Sequence, residues 1–343
     1  MQTILITRFS AVGDIAMTVP LLYSLASSYP THRFVFVSRP RLGQFLINAP
    51  SNLEFKGVDP ARYSGLWGLY RLYKELKREY RPVAFADLHD VLRTKILRLF
   101  FRLSGVKCSH VLKGRKEKKA LTRQRNKVLK ELPTTFERYK AVFERIGLPF
   151  TCDFVSLFGN SKGDISGFGF LPQKGEDKWV GIAPFAKHKG KIYPIEKMRR
   201  VVELLSQEQN IKVFCFGNGE KETEVVDEWC KSFENVHSFI GKSGFDGELC
   251  FISHLDVMLS MDSANMHIAS LVNTPVVSVW GATSPMAGFL GWRQAKQNCV
   301  ELPLECRPCS VFGNKPCQYG DYRCMNIPPE RIVDHILNLL KNT

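Results

Sequence analysis

No run in this sequence approaches the roughly 20 apolar residues of a membrane-spanning helix, so a spanning segment is not expected. The opening stretch, Met1-Gln2-Thr3-Ile4-Leu5-Ile6-Thr7-Arg8, lacks the basic start, long apolar centre and small-residue cleavage site of a secretory signal. It reads as a first strand, and the cytoplasm is the expected compartment. Without an export signal the ten cysteines read as reduced thiols or metal ligands rather than a disulfide framework. Acidic residues are in short supply. With 33 Asp and Glu against 48 Lys and Arg the net charge is +15, which favours anionic partners: nucleic acid, an acidic membrane surface or a phosphorylated substrate. No Gly-x-Gly-x-x-Gly turn follows the first strand, which excludes a nicotinamide dehydrogenase. No internal repeat is strong enough to suggest an array.

What is present is a chain of 343 residues, long enough for two domains, with 44% hydrophobic residues to build their cores. Strand and helix patterns alternate throughout. In the first half, strands are expected at 3–7, 34–38 and 83–87, and helices at 17–28, 66–80 and 92–103. The helix at 66–80 carries Leu66, Leu69, Tyr70, Tyr73, Leu76 and Tyr80 near helical spacing. Residues 151–178 break the pattern with Gly159, Gly163, Gly167, Gly169, Pro172 and Gly175, and read as a linker. Beyond it, strands at 179–183 and 212–216 alternate with helices at 194–206 and 220–230. Pro328-Pro329-Glu330 opens a terminal helix striped by Ile332, Ile336, Leu337 and Leu340. The expected division is 1–160, 161–327 and a terminal helix at 328–343. Such alternation predicts parallel sheets with helices on both faces, whose ligands bind at the carboxyl ends of the strands.

The most informative run is Met261-Asp262-Ser263-Ala264-Asn265-Met266-His267, between the apolar strands Val257-Met258-Leu259 and Pro275-Val276-Val277-Ser278-Val279-Trp280. Asp262 and Ser263 are helix-capping residue types. The helix start behind them would offer N–H donors and a positive dipole end to a diphosphate.

Three further signals have more than one reading. Asp14 follows the first strand, near Ser10 and Gly13; it is either a helix cap or a general base at the sheet's carboxyl edge. Residues 113–130 hold nine basic side chains and one acid, Glu117: a solvated face, or a surface for phosphate-bearing lipid or substrate. Cys306, Cys309, Cys317 and Cys324 are spaced either to enclose a structural zinc or to pack as reduced thiols, with disulfides ranked lower. A zinc knuckle plus a basic arm would suit a nucleic-acid-binding protein. Against that, aromatic residues are not interleaved with the basic stretch to make a stacking platform.

The blocks Ile4-Leu5-Ile6-Thr7-Arg8-Phe9-Ser10-Ala11-Val12-Gly13-Asp14-Ile15, Asp262-Ser263-Ala264-Asn265-Met266-His267-Ile268-Ala269 and Gly281-Ala282-Thr283-Ser284-Pro285 occur in an order that resembles glycosyltransferase family nine, the ADP-heptose:lipopolysaccharide heptosyltransferases. The resemblance covers nearly the whole chain. It implies an α/β fold of GT-B type: two Rossmann-like doubly wound domains facing an interdomain cleft, the first binding acceptor and the second nucleotide sugar. It further implies an inverting reaction needing no metal for catalysis, so that the only metal left open is the structural zinc. Asp14 matches the family's base, and Ser10 and Gly13 line the same loop. Lys191 matches the lysine that meets the donor diphosphate, with Lys187 and Lys189 beside it in the loop. Glu220 or Glu222 matches a ribose-binding glutamate, with Glu222 preferred. Asp262, Ser263, Ala264 and His267 match the donor-binding motif, although many members carry glycine where Ala264 stands. On the acceptor side Arg93, Lys113, Arg115 and Lys119 are candidates for anionic groups of a glycolipid, and Arg138-Tyr139 supports that region. The implied partners are ADP-heptose or a similar nucleotide sugar, an anionic glycolipid and, peripherally, the anionic inner face of the cytoplasmic membrane; nucleic acid is not expected.

Overall fold

The computed structural model describes residues 1–341, which divide into two compact units: Met1–Gly114 with Pro133–Leu157, and Arg115–Leu132 with Phe158 onward. The chain thus passes from one unit to the other three times. In chain order to residue 144 the elements are β1 (Gln2–Thr7), α1 (Val12–Ala16), α2 (Val19–Ser28), β2 (His32–Ser38), β3 (Leu53–Gly57), α3 (Gly65–Tyr80), β4 (Ala84–Asp87), α4 (Leu92–Leu103), β5 (Lys107–His110), α5 (Arg115–Thr122) and α6 (Thr135–Glu144). The expected helix at 17–28 is present as α2, starting at Val19, and is preceded by the short α1, which was not expected. Pro20, in the first turn of α2, has no N–H to continue a helix and its ring would meet the carbonyl of Ala16, so the helix restarts.

In the first unit five parallel strands run in the order β3-β2-β1-β4-β5. One face of this sheet packs Leu5, Val35, Val37 and Phe85 against Leu69, Leu72 and Leu76 of α3 and Leu97 and Phe101 of α4. Burying each such side chain contributes about 1.5–3 kcal/mol. Helices α2 and α6 adjoin each other and reach β2 and β4 respectively.

The second unit continues with β6 (Lys178–Ala183), α7 (Ile195–Ser206), β7 (Ile211–Cys215), α8 (Glu220–Ser232), β8 (Val236–Ser238), α9 (Phe245–Ile252), β9 (Val257–Met261), α10 (Ala264–Leu271), β10 (Val276–Trp280), β11 (Cys299–Glu301) and α11 (Pro329–Lys341). Its six parallel strands are ordered β11-β10-β9-β6-β7-β8. The terminal helix is part of this unit's core: Ile332, Val333, Ile336 and Leu340 pack with Met198, Val201 and Val279 in one cluster. Residues 342 and 343, the last two of the expected helix, lie outside the described residues. The expected linker contains neither helix nor strand before Lys178, where β6 begins, yet from Gly163 on it is packed rather than loose. Gly163 donates its N–H to Ser253 Oγ at 2.8 Å, and the rings of Phe168 and Phe170 lie 6.0 and 5.8 Å from that of Phe239.

The basic stretch belongs to the second unit from Arg115 on. Leu132 donates to Met286 O at 2.9 Å, Lys118 sits 4.1 Å over the Phe289 ring, Lys127 reaches Glu305 O at 3.0 Å, and Glu131 pairs with Lys296. It is a docked segment carrying α5 rather than a free arm.

Candidate active site

In each sheet the strand order reverses at one place, and ligands of open α/β sheets bind outside the carboxyl ends of the strands flanking that place. In the first unit these are β1 and β4. Arg8, just past β1, is 7% exposed; it donates to Leu88 O past β4 and pairs with Asp14 Oδ2 at 2.7 Å. Burial opposes its charge, but Tyr139, 5.5 Å from the guanidinium, together with Asp14 and Asp87, raises its pKa on balance. Asp14 is the third residue of α1 and accepts from the Ala11 N–H at 3.3 Å. Asp14 therefore closes the start of a short helix, while its side chain remains 30% exposed. Gly13 lies inside α1 rather than in the preceding turn.

His89 sits next to this pair. Its Nδ1 accepts from the Phe9 N–H at 3.4 Å and its Nε2 lies 3.3 Å from Ser10 Oγ. Burial, then the charges of Arg8 and Lys113, depress His89 to about 4, so the ring is neutral near pH 7. Beneath it Asp87 is fully buried and accepts from the amides of His89 and Asp90, and from Arg98 at 2.7 Å. Ser10 thus joins the β1–β4 group, in the first unit, whereas the donor motif is in the second.

In the second unit the reversal lies between β6 and β9. The loop after β6 carries Lys187, Lys189 and Lys191; the loop after β9 carries Asp262 and Ser263. Lys191 Nζ pairs with Asp262 Oδ2 at 2.8 Å. Lys189 stacks 5.2 Å from the Tyr322 ring, and Lys187 is exposed. Ser263 occupies the capping position of α10 but its side chain makes no capping bond; its Oγ lies 3.2 Å from Ser260 Oγ instead. The expected side-chain cap is therefore absent, because the hydroxyl is turned toward the strand. The first N–H groups of α10, at Ala264 and beyond, have no cap from Ser263 and remain the helix's positive end. His267 is buried one turn in.

At the start of α8, Gly219 has φ +84°, a conformation natural to glycine. Glu222 folds back over this turn, accepting from the Asn218 N–H at 2.7 Å, whereas Glu220 is exposed.

The sequence profile described as "Glycosyltransferase family 9 (heptosyltransferase)" matches residues 93–320, well over half of the chain. The chain belongs to this family. Among curated relatives, Lipopolysaccharide heptosyltransferase 3 of Escherichia coli (strain K12) is 30% identical over 129 residues, 37% of this chain and 36% of that protein, so the aligned part spans about a third of that relative. Lipopolysaccharide core heptosyltransferase OpsX of Haemophilus influenzae is 25% identical over 294 residues, 83% of this chain and 80% of that protein. The solved E. coli heptosyltransferase WaaC with ADP has TM-score 0.68 at 16% identity, covering 98% of this chain and 100% of that one. The fold is α/β of GT-B type.

In this family 9 chain the acceptor-side candidates are divided between the two units. Arg93 is half-buried and donates to Pro60 O, and Lys113 reaches Asp90 O at 3.1 Å; both are in the first unit. Arg115 and Lys119 lie on α5, in the second. Arg138 closes the loop before α6, donating to Pro133 O and Leu112 O.

Cys306, Cys309, Cys317 and Cys324 line one small enclosed space with Arg307, Tyr319, Tyr322 and Arg323. Among the described residues no three or more His, Cys, Asp or Glu side chains are grouped to hold a metal. Cys309 Sγ is turned to Ala282 O, and Cys317 Sγ to Asp321. Burial raises the Cys309 thiol and pushes that of Cys324 up to about 11. All four are free of disulfides.

Arg307, not singled out in the sequence, holds this region together. It is 6% exposed, donates to the carbonyls of Trp280, Gly281, Thr283 and Leu302, and pairs with Glu301 at 2.7 Å, fixing the turn after β10.

Proposed function

We propose that this enzyme transfers a heptosyl group from ADP-heptose to the inner core of lipopolysaccharide, with inversion, without a catalytic metal, and peripherally at the inner face of the cytoplasmic membrane. The observation that carries this reading is the Lys191–Asp262 pair at the start of α10. A half-buried ammonium beside an uncapped helix N-terminus is the charge complement of a diphosphate. As the bond from the anomeric carbon to the β-phosphate oxygen breaks, ADP departs with the electron pair, and Lys191 with the α10 amides offsets the growing charge. That is a duty a divalent cation fulfils in other enzymes.

The acceptor hydroxyl forms the new glycosidic bond on the opposite side of the sugar and gives its proton to Asp14. Arg8, paired with that carboxylate at 2.7 Å, holds it in place. Glu222, fixed by the Asn218 amide, takes the ribose hydroxyls. The heptosyltransferase names of the relatives, and the ADP with which WaaC was solved, support the donor assignment.

The test is a thermal-shift screen of nucleotides and nucleotide sugars, followed by a transfer assay with lipid-free core oligosaccharide. ADP and ADP-heptose should raise the melting temperature, and the product should carry the inverted anomeric configuration with undiminished rate in chelator. Stabilisation by uridine or guanosine sugars alone would replace the donor. Stabilisation by oligonucleotide beyond that by ADP, abolished by salt, would favour the nucleic-acid reading.

A further inference from the structure

Helices α3 and α4 each bury one apolar stripe in the first unit's core and present a second to water. On α3 the outer stripe is Leu66, Trp67 and Tyr70, exposed by 61%, 83% and 40%; on α4 it is Leu92, Leu99 and Leu103, exposed by 76%, 52% and 76%. A soluble helix ordinarily carries one apolar stripe. The two outer stripes are joined by rings: Trp67 lies 6.3 Å from Tyr70, and Tyr70 5.5 Å from Phe100.

Charge around these side chains has one sign. Helices α3 and α4 hold Arg71, Lys74, Lys77, Arg78, Arg93, Lys95, Arg98 and Arg102 against only Glu75 and Glu79. Both acids are engaged, Glu75 by the Tyr63 hydroxyl and Glu79 by Lys56 at 2.7 Å. Lys74, Arg78, Lys95 and Arg102 are exposed.

The geometry points to the outer face of α3 and α4 as a docking surface for an anionic lipid bilayer. Leucines and a tryptophan–tyrosine pair amid lysine and arginine match a membrane interface, where apolar groups enter the headgroup boundary and cations meet phosphates. An anionic bilayer supplies both the apolar boundary and the phosphates that this face matches. Position agrees as well. A crossover helix between parallel strands begins at the carboxyl edge of the sheet, and the α4 start is tied there to the loop before α3 by Arg93 and Pro60 O. Leu66, Trp67 and Leu92 therefore stand toward the edge that carries Asp14, where a lipid-anchored acceptor would present its hydroxyl. This inference names the surface for the membrane contact proposed above and rests on that reading.

The test uses the whole chain and vesicles of phosphatidylcholine with or without about one-third phosphatidylglycerol. Trp179, Trp229 and Trp280 are buried and Trp292 half-buried, so Trp67 is the exposed reporter. Wild type should sediment with anionic vesicles and shift its emission to the blue; Trp67→Phe should still sediment but lose the shift. Trp67→Ser, and Leu99→Glu with Leu103→Glu, should lower vesicle affinity at least tenfold. The same variants should keep the melting temperature, the ADP-induced shift and transfer to lipid-free oligosaccharide. Equal binding by wild type and these variants would overturn the proposal, as would loss of binding only on neutralising Lys116, Lys118 and Lys119. So would a wild-type dimer that Leu103→Glu turns into monomer, since the face would then be an interface between copies. Absent transfer to lipid-free oligosaccharide by wild type would sink the catalytic reading while leaving the vesicle result to stand or fall by itself.

Discussion

The two units solve one problem in opposite senses. Each places a cation–carboxylate pair where its strand order reverses: Arg8 with Asp14 in the first, Lys191 with Asp262 in the second. In the first the side chains are 9% and 30% exposed, so the arginine is anchored and the carboxylate faces outward. In the second they are 17% and 5% exposed, so the carboxylate is anchored and the lysine faces outward. In the proposed mechanism, which member is buried decides the role of each pair. An anchored cation offers a fixed carboxylate to a proton; an anchored carboxylate offers a fixed cation to phosphate. Arginine suits the buried role because its fork reaches Leu88 O while still pairing with Asp14.

The sharpest way to break the comparison is Asp14→Asn. It keeps the shape and loses the proton acceptor, so turnover should fall by about a hundredfold or more while the ADP-induced thermal shift persists. Unchanged turnover would remove Asp14 from the chemistry.

Lys191→Ala should weaken ADP binding by roughly ten- to a hundredfold, the range of a hydrogen bond to a charged group. It should also lower the melting temperature, because Asp262 is left buried and unpaired. Adding Asp262→Asn should restore the melting temperature but not ADP binding. Calorimetry on the two variants would expose the contrary case, in which the lysine is a stability element alone.

The smallest effect concerns His89. Above about pH 6.5 the ring is neutral in the folded and unfolded chain and contributes no pH dependence. Between 6.5 and about 4 the unfolded chain takes up a proton that the folded site refuses, so stability falls as pH falls. His89→Gln should flatten that part of the stability profile, as followed by thermal unfolding across the range.

Helices with a strong apolar period were legible in the sequence. The expected 66–80 and 92–103 became Gly65–Tyr80 and Leu92–Leu103, because burial of one stripe and the helical period say the same thing. Strand ends were legible for a similar reason, and with them the segments just beyond, which carry Asp14, Lys191 and Asp262. The short strands Leu53–Gly57 and Lys107–His110 were not, being half-buried and mixed in polarity. Nor was the short helix Val12–Ala16, only five residues long and ended ahead of Pro20. The affiliation of Arg115–Leu132 rests on Phe289, Lys296 and Glu305, partners more than 150 positions away that no local pattern announces. Arg307 likewise stands in no periodic run; its four carbonyl partners come from two separate turns. The turn of Ser10 to His89 depends on β4 lying beside β1, which only the topology supplies.

Because the backbone goes over and back before residue 158, the molecule resists dissection. A fragment ending at Leu157 would drag along residues 115–132, stripping buried Leu121 and Thr122 of their neighbours, while one starting at Phe158 would lack that piece altogether. Three covalent connections, rather than one, join the units, so a single proteolytic nick between them would set neither free.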